Sequence, residues 1–415
     1  MKKGFLFLPV FLAMVLVWSP AAKAADDIEV ALLYPLTGPL TEAGKRMKAV
    51  YEVAAEVING SYDIPGVPYS DTEGISNKGG AKLVVKFYDT QGSPEVGKTE
   101  TERVLQEGTA KLIIGAYQSA VTKPTSFVAE RYKFPFLCGV SSSAALTERG
   151  LKYFFRVAPT DFHDSRMFFN FLDDMKKQGK EVKRIAMVYE QTEFGVHAAK
   201  EVKKRIEESG GAYELVADVP YAYKSTDVNA EVLKIKAADP DVILHATLIS
   251  EMTLFAKAYK DLGVKANANM SFCGGYQNPK FAEQLGDAAE GYMGSCTFAE
   301  DFIQKKAQLK TINDMYKAKT GMNLDGIAME GFTTLFVAAD AFNRAKSLSP
   351  DDVRDALAAT ELEIATLPGK GVKFDKSGQN IWIASTMSQI QSGNYKVVWP
   401  PEWATAQMTW PMWKK

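Results

Sequence analysis

The sequence predicts an α/β protein of two lobes, each built on a mostly parallel sheet. Three observations carry this. Strand-like apolar runs alternate with helical-period segments from residue 28 to 137, and a second such series runs from 184 to 297. The series are separated at Phe155-Arg156-Val157-Ala158-Pro159, a crossing that contains proline. And 415 residues are too many for one ordinary core.

The elements follow in order. Residues 28–34 form an apolar strand, and Pro35-Leu36-Thr37-Gly38-Pro39-Leu40 a turn. Ala43, Met47, Val50, Tyr51, Ala54 and Ile58 then recur at helical spacing, with Asn59-Gly60 as the stop. Residues 64–80, rich in Gly, Pro, Ser and Asp, read as a surface insertion. Strands at 83–88, 112–115 and 134–137 alternate with helices at 94–107 and 121–132. In the second series the strands are 184–189, 213–219, 242–247, 270–273 and 291–297, and the helices 196–209, 228–237 and 251–262. Residues 372–378 read as a strand and turn. Residues 382–391 and 395–399 flank Ser392-Gly393-Asn394 as a β-hairpin. Trp399, Trp403, Trp410 and Trp413 make an aromatic tail expected to pack on the body. In sheets of this kind ligands sit beyond the carboxyl ends of strands, and two lobes put the natural site between them.

The ends and the composition narrow the class. Lys2 and Lys3 precede an apolar run from 5 to 18, and Ala22 and Ala24 form an A-x-A site. Residues 1–24 therefore read as a secretory signal peptide, with the mature chain starting near Ala25 and exported, in a Gram-negative cell, to the periplasm. The run is too short for a confident membrane span. A net charge of −1 gives no argument for nucleic acid or an anionic membrane as partner. Three cysteines are no disulfide scaffold; Cys273 and Cys296 are the pair to test.

Catalytic and cofactor signals are sparse. Gly92-Ser93-Pro94-Glu95-Val96-Gly97-Lys98-Thr99 matches the phosphate-loop pattern, yet Pro94 removes an amide the cradle needs and Glu95 would face the phosphates. The stretch reads instead as a helix start. There is no G-x-S-x-G, no H-E-x-x-H, no calcium loop and no G-x-G-x-x-G, and His163, His197 and His245 are scattered. No metal or cofactor is expected, and binding is favoured over catalysis. One stretch stands out. Residues 138–147, Cys-Gly-Val-Ser-Ser-Ser-Ala-Ala-Leu-Thr, follow a strand end with three hydroxyls and the opening of a helix. Backbone N–H groups and a helix dipole at one point suit an anion, though serine is also simply common in turns and caps.

At this point the chain resembles the leucine/isoleucine/valine-type periplasmic substrate-binding proteins of ABC importers. The resemblance rests on Val30 through Pro39 with Gly44, Asp89 with the Pro94 helix, Gly115 with Gln118-Ser119, and Ser141 to Thr147. Arg156 with Asp161, Phe194-Gly195, Asp239-Pro240-Asp241, Leu262-Gly263, Glu290-Gly291 and Gly371 to Asp375 with Gly378 extend it over nearly the whole mature chain. It implies a type I periplasmic binding fold: two doubly wound lobes joined by three hinge crossings, near Ala158, Cys296 and Leu367. The lobes would be 25–158 plus 297–367 and 159–296 plus 368–415. It implies a carboxylate held by Ser119 and by Ser141 and Ser142, with Tyr117, Gln118, Asp161, Phe194, Leu248 and Tyr276 as further ligand contacts. The acidic residue that takes an amino acid's ammonium should fall near Gly274, Gly275 or Tyr276, and none is acidic. Asp161 is the remaining candidate for a cation, and Ala43 leaves room where an aromatic is common. The expected ligand is a carboxylate that need not carry an α-ammonium, with room for a bulkier or aromatic body. The implied role is capture of a small organic solute and its delivery, by a monomer, to membrane permease subunits, without catalysis. A periplasmic ligand sensor for a receptor and an exported serine hydrolase are the alternatives.

Overall fold

A computed structural model describes residues 26–412. The expected leader, residues 1–24, and Trp413 lie outside the described residues. The first series comprises β1 (Ile28–Tyr34), α1 (Thr41–Asn59), β2 (Leu83–Asp89), α2 (Pro94–Glu107), β3 (Ala110–Gly115), α3 (Ser119–Arg131), β4 (Phe136–Cys138) and β5 (Phe154–Arg156). Its strands form one parallel sheet in the order β2-β1-β3-β4-β5. Local chemistry sets the boundaries. Ser93 caps α2 by accepting the Val96 N–H, Pro94 occupies the first helical position, and Gly108 ends the helix at φ +68°. The phosphate-loop look-alike is thus a capped helix start. Gly44 lets α1 lie on the β1 loop, since a Cβ there would stand 1.9 Å from the Pro35 carbonyl oxygen.

The second series begins with α4 (Asp161–Lys177), a helix the sequence patterning left unassigned. It continues through β6 (Arg184–Glu190), α5 (Glu193–Glu208), β7 (Glu214–Tyr221), α6 (Asn229–Ala238), β8 (Val242–Ala246), α7 (Ile249–Leu262) and β9 (Ala268–Ser271). Two short helices, α8 (Cys273–Tyr276) and α9 (Pro279–Leu285), lead to β10 (Met293–Cys296). The chain then returns to the first lobe as α10 (Leu309–Thr320), α11 (Gly326–Arg344), α12 (Pro350–Ala358) and the small antiparallel pair β11 (Glu361–Glu363) and β12 (Gly371–Lys373). Finally β13 (Thr386–Gln391) and β14 (Asn394–Trp399) extend the second sheet, whose order is β14-β13-β10-β9-β8-β6-β7. Ser392 and Gly393 both take positive φ, so the hairpin loop has two residues in the mirror-image turn that matches strand twist. Trp399 and Trp410 pack edge-on against Phe171, and Trp403 lies beside Phe302, so these three tail tryptophans are seated on the body.

The lobes are joined by three crossings. The chain leaves the first sheet after β5, leaves the second after β10 and enters the second again at β13. Val372, Phe374 and Ile383 are still part of the first lobe's core, and the chain enters the second sheet only at Thr386. Side chains of Gln379 and Asn380 hold this segment beside the first crossing, donating to the carbonyls of Ala158 and Val157. Asp164 on α4 then gathers all three: Ser295 donates to one carboxylate oxygen at 2.9 Å and Ser385 to the other at 2.7 Å. The three cysteines are free, and Cys296 instead contacts the Thr386 hydroxyl at 3.3 Å. Among the described residues no helix is long and apolar enough to cross a membrane.

The tight approach at Gly44 gives a direct test. Gly44→Ala should destabilise the protein by about 1–3 kcal/mol through overpacking against the Pro35 carbonyl. A urea titration followed by circular dichroism should show the lower midpoint with an unchanged slope.

Candidate functional site

A cavity of about 200 Å³ lies between the lobes. Every strand end that faces it contributes. From the first lobe come Gly92 and Pro94 after β2, Tyr117 to Ala120 after β3, and Val140 to Ser142 after β4. From the second come Glu190, Thr192 and Phe194 after β6, Tyr223 after β7, Leu248 after β8, and Cys273 and Gly274 after β9. Both groups lie where the strand order of each sheet reverses, the usual place for a ligand in such sheets.

The first-lobe half gathers open hydrogen-bond donors. Ser119 and Ala120 open α3, and their N–H groups have no acceptor within the helix. The Ser119 hydroxyl accepts the Ser143 N–H at 3.2 Å, which leaves its own proton to donate. The serine turn contributes backbone. Arg156, fully buried, donates to the carbonyls of Ser141 at 3.0 Å and Ser143 at 2.6 Å, to the Thr147 hydroxyl at 2.8 Å and to Gln379 Oε1 at 2.7 Å. A planar trans peptide sets the Ser142 N–H opposite the Ser141 carbonyl, hence away from Arg156. The helix expected after the turn is only one 3₁₀ turn, Ala144–Leu146. The useful helix dipole belongs to α3. The Ser141 hydroxyl is already engaged, at 2.6 Å with Thr122 and 2.7 Å with the Ala116 carbonyl, so that side chain shapes the turn.

Seven of the expected residues therefore surround one cavity: Tyr117, Gln118, Ser119, Ser141, Ser142, Phe194 and Leu248. Two do not. Tyr276 is fully buried against Tyr395 and Phe281, with its hydroxyl 3.2 Å from Ser388. Asp161 sits behind the turn, its N–H donating to the Ser142 carbonyl at 2.9 Å and its carboxylate sealed in the interior. Burial pushes the Asp161 carboxyl up to about 8, against the Ser142 hydroxyl and the Arg156 charge, which favour ionisation. The position expected to be acidic has no space for a side chain. A Cβ on Gly274 would stand 2.4 Å from the Thr247 carbonyl oxygen and 3.2 Å from the Phe194 ring.

Sequence reasoning missed Glu190. It ends β6 facing the cavity and is 2% exposed. One carboxylate oxygen accepts the Thr192 hydroxyl; the other has no hydrogen-bond partner. Burial pushes its pKa up to about 7, with the Glu251 charge acting in the same sense. An acidic residue closing an otherwise apolar strand was the available signal.

The lobes already touch across the cavity. Gln118 Nε2 donates to the Tyr223 hydroxyl at 3.3 Å, and Lys123 pairs with Glu193 at 2.8 Å. The three histidines are engaged elsewhere: His163 with Thr160 in the α4 cap, His197 with Glu193, and His245 with Tyr259 in the core.

Comparisons with known proteins agree with this fold. A family model described as periplasmic binding protein matches residues 27–394. The Leu/Ile/Val-binding protein homolog 7 of Brucella abortus is 26% identical over 420 residues, covering 97% of this chain and 98% of the relative. Among solved structures, the branched-chain amino acid transporter substrate binding protein of Streptococcus pneumoniae, in complex with isoleucine, superposes with a TM-score of 0.75 at 19% identity. That match covers 90% of this chain and all of that one. A solute binding protein of an ABC transporter from Rhodopseudomonas palustris, in complex with 3,4-dihydroxybenzoic acid, gives 0.74 at 18% identity, covering 89% and 95%.

The buried carboxyls make stability depend on pH. Asp161 and Asp164 are raised by burial to about 8 and about 6, from an ordinary 3.8. The folded state then binds more protons than the unfolded one across this window, so their contribution is fully present below the unfolded value. It is lost as pH rises through about 6 and then about 8. Thermal melts should show the midpoint falling between pH 5 and pH 8.5, and Asp161→Asn should flatten the upper part of that fall.

Proposed function

The chain belongs to the periplasmic binding protein family, and on that premise we propose that it captures a small organic carboxylate between its lobes and delivers it to the permease of an ABC importer. The observation that carries the ligand class is the cradle of unspent donors: the Ser119 hydroxyl and the N–H groups of Ser119, Ala120 and Ser142. A carboxylate fills such a cradle, each charge-assisted hydrogen bond contributing roughly 1.5–3 kcal/mol. Val140, Phe194, Leu248 and Ile327 give the cavity an apolar stretch that suits a hydrocarbon or aromatic body. Relatives of the fold hold both kinds of ligand, isoleucine in one and 3,4-dihydroxybenzoic acid in the other.

The mechanism is lobe closure about the three crossings. The ligand's carboxylate binds the first lobe, and its body completes contacts with the second only when the lobes meet. Its binding energy thus shifts the open–closed population toward the closed form, the form a permease can distinguish. The protein works as an exported monomer in the periplasm and performs no reaction; ATP is hydrolysed by separate subunits.

Native mass spectrometry of the purified mature protein identifies any solute carried through purification, and calorimetry then measures its affinity. Ser119→Ala should weaken binding of a carboxylate by about 10-fold or more, the loss of one charge-assisted donor. Unchanged affinity in this variant, or a co-purifying solute without an acidic group, contradicts the reading.

A further inference from the structure

The cavity has a second pole that the cradle leaves unused. Two buried acceptors line it without partners, one from each lobe: Gln118 Oε1 and the free oxygen of Glu190. Among the described residues no donor answers either. Behind Glu190 stands Glu251, also buried, which accepts the Lys224 N–H at 2.8 Å and whose charge acts on Glu190. Lys224, the cation that acts on Glu251, is exposed and lies over the Tyr223 ring at 5.3 Å. This pole therefore offers open acceptors and negative charge; its hydroxyl donors are those of Thr192, given to Glu190, and Tyr223, and no buried cation lines it among the described residues. An uncompensated arrangement of this kind is costly and is relieved by a ligand that brings donors and positive charge.

Its place in the sheet matters. Gly274, after β9, is closed to a side chain by the Thr247 carbonyl. Glu190 ends β6, and β8 lies between β6 and β9. The acidic group is thus displaced by two strands, roughly 10 Å across the sheet, with Leu248 at the end of the intervening strand.

We propose that the ligand carries a protonated amine set apart from its carboxylate by an apolar segment, and that Glu190 is the residue that selects for it. The amine meets Glu190 and Gln118 Oε1, the carboxylate meets the Ser119 cradle, and the spacer lies along Phe194 and Leu248. This rests on the carboxylate reading above and adds the second charge and its position.

The test uses three matched series of four to six carbons: straight-chain alkanoates, their 2-amino forms and their ω-amino forms, titrated into the full mature protein. The ω-amino acids should bind about 10-fold or more tighter than the alkanoates and also tighter than the 2-amino acids. Glu190→Gln should make the affinities for the ω-amino acids and the alkanoates converge, and Glu190→Asp, which keeps the charge, should retain part of the preference. Melting curves of both variants verify that they fold. Alkanoates binding as tightly as the ω-amino acids, 2-amino acids binding tightest, or a preference untouched in Glu190→Gln each overturns the proposal while the carboxylate reading stands. Failure of all three series to bind, with Ser119→Ala also silent toward any co-purified solute, removes both.

Discussion

The buried Arg156 guanidinium is the interaction on which most of the binding surface depends. It stands at the end of β5, where the chain is about to leave the first lobe, and has no exposed surface. Its hydrogen bonds spread over the serine turn, Thr147 and Gln379. An arginine in this position is desolvated at considerable cost, and only a full set of well-placed acceptors offsets it. The acceptors used are the carbonyls of Ser141 and Ser143. Claiming those carbonyls turns the opposite edge of the turn, with its N–H groups, toward the cavity. Through Gln379 the same side chain fixes the third crossing beside the first. One cation thus aligns the donor cradle and the hinge with each other.

The site and the hinge differ in how their polar groups are treated. At the hinge the buried Asp164 is satisfied by Ser295 and Ser385, so the crossings are held in register. In the cavity, donors on the first lobe and acceptors on both lobes are left open. Unpaired polar groups in a near-dry space act as the recognition code, because only a ligand with the complementary pattern removes the penalty. The lobes meet through few polar contacts, and the Lys123–Glu193 pair at the rim is of the partly exposed kind that contributes little. Ligand contacts are correspondingly free to dominate the closed state.

Much of this was legible in the sequence, and the misses have physical causes. α2 runs over the residues expected of it because Ser93, Pro94 and Gly108 mark its ends chemically. The hairpin at Ser392-Gly393 was readable for the same reason. α11, left unassigned in the sequence, is buried on nearly all sides. The serine turn was read as a helix start, but Arg156 takes two of its carbonyls and the regular structure stops at one 3₁₀ turn. Asp161 and Tyr276 occupy positions that resemblance links to the ligand, yet their side chains belong to the interior. Glu190 escaped notice because a glutamate at a strand end normally reads as the solvated end of that strand. In the folded protein it is instead buried, with one oxygen unpartnered.

The path of the chain through the lobes has a consequence for how the protein is made. The first lobe needs β12 and residues as late as Ile383, and the second needs β13 to pair with β10 and β14 to pair with β13. A polypeptide emerging N-terminus first therefore carries an incomplete core and an open sheet edge until nearly its last residues appear. Contacts of such long sequence separation close slowly. Until then β10 presents the edge that β13 later covers, a surface open to pairing with another chain.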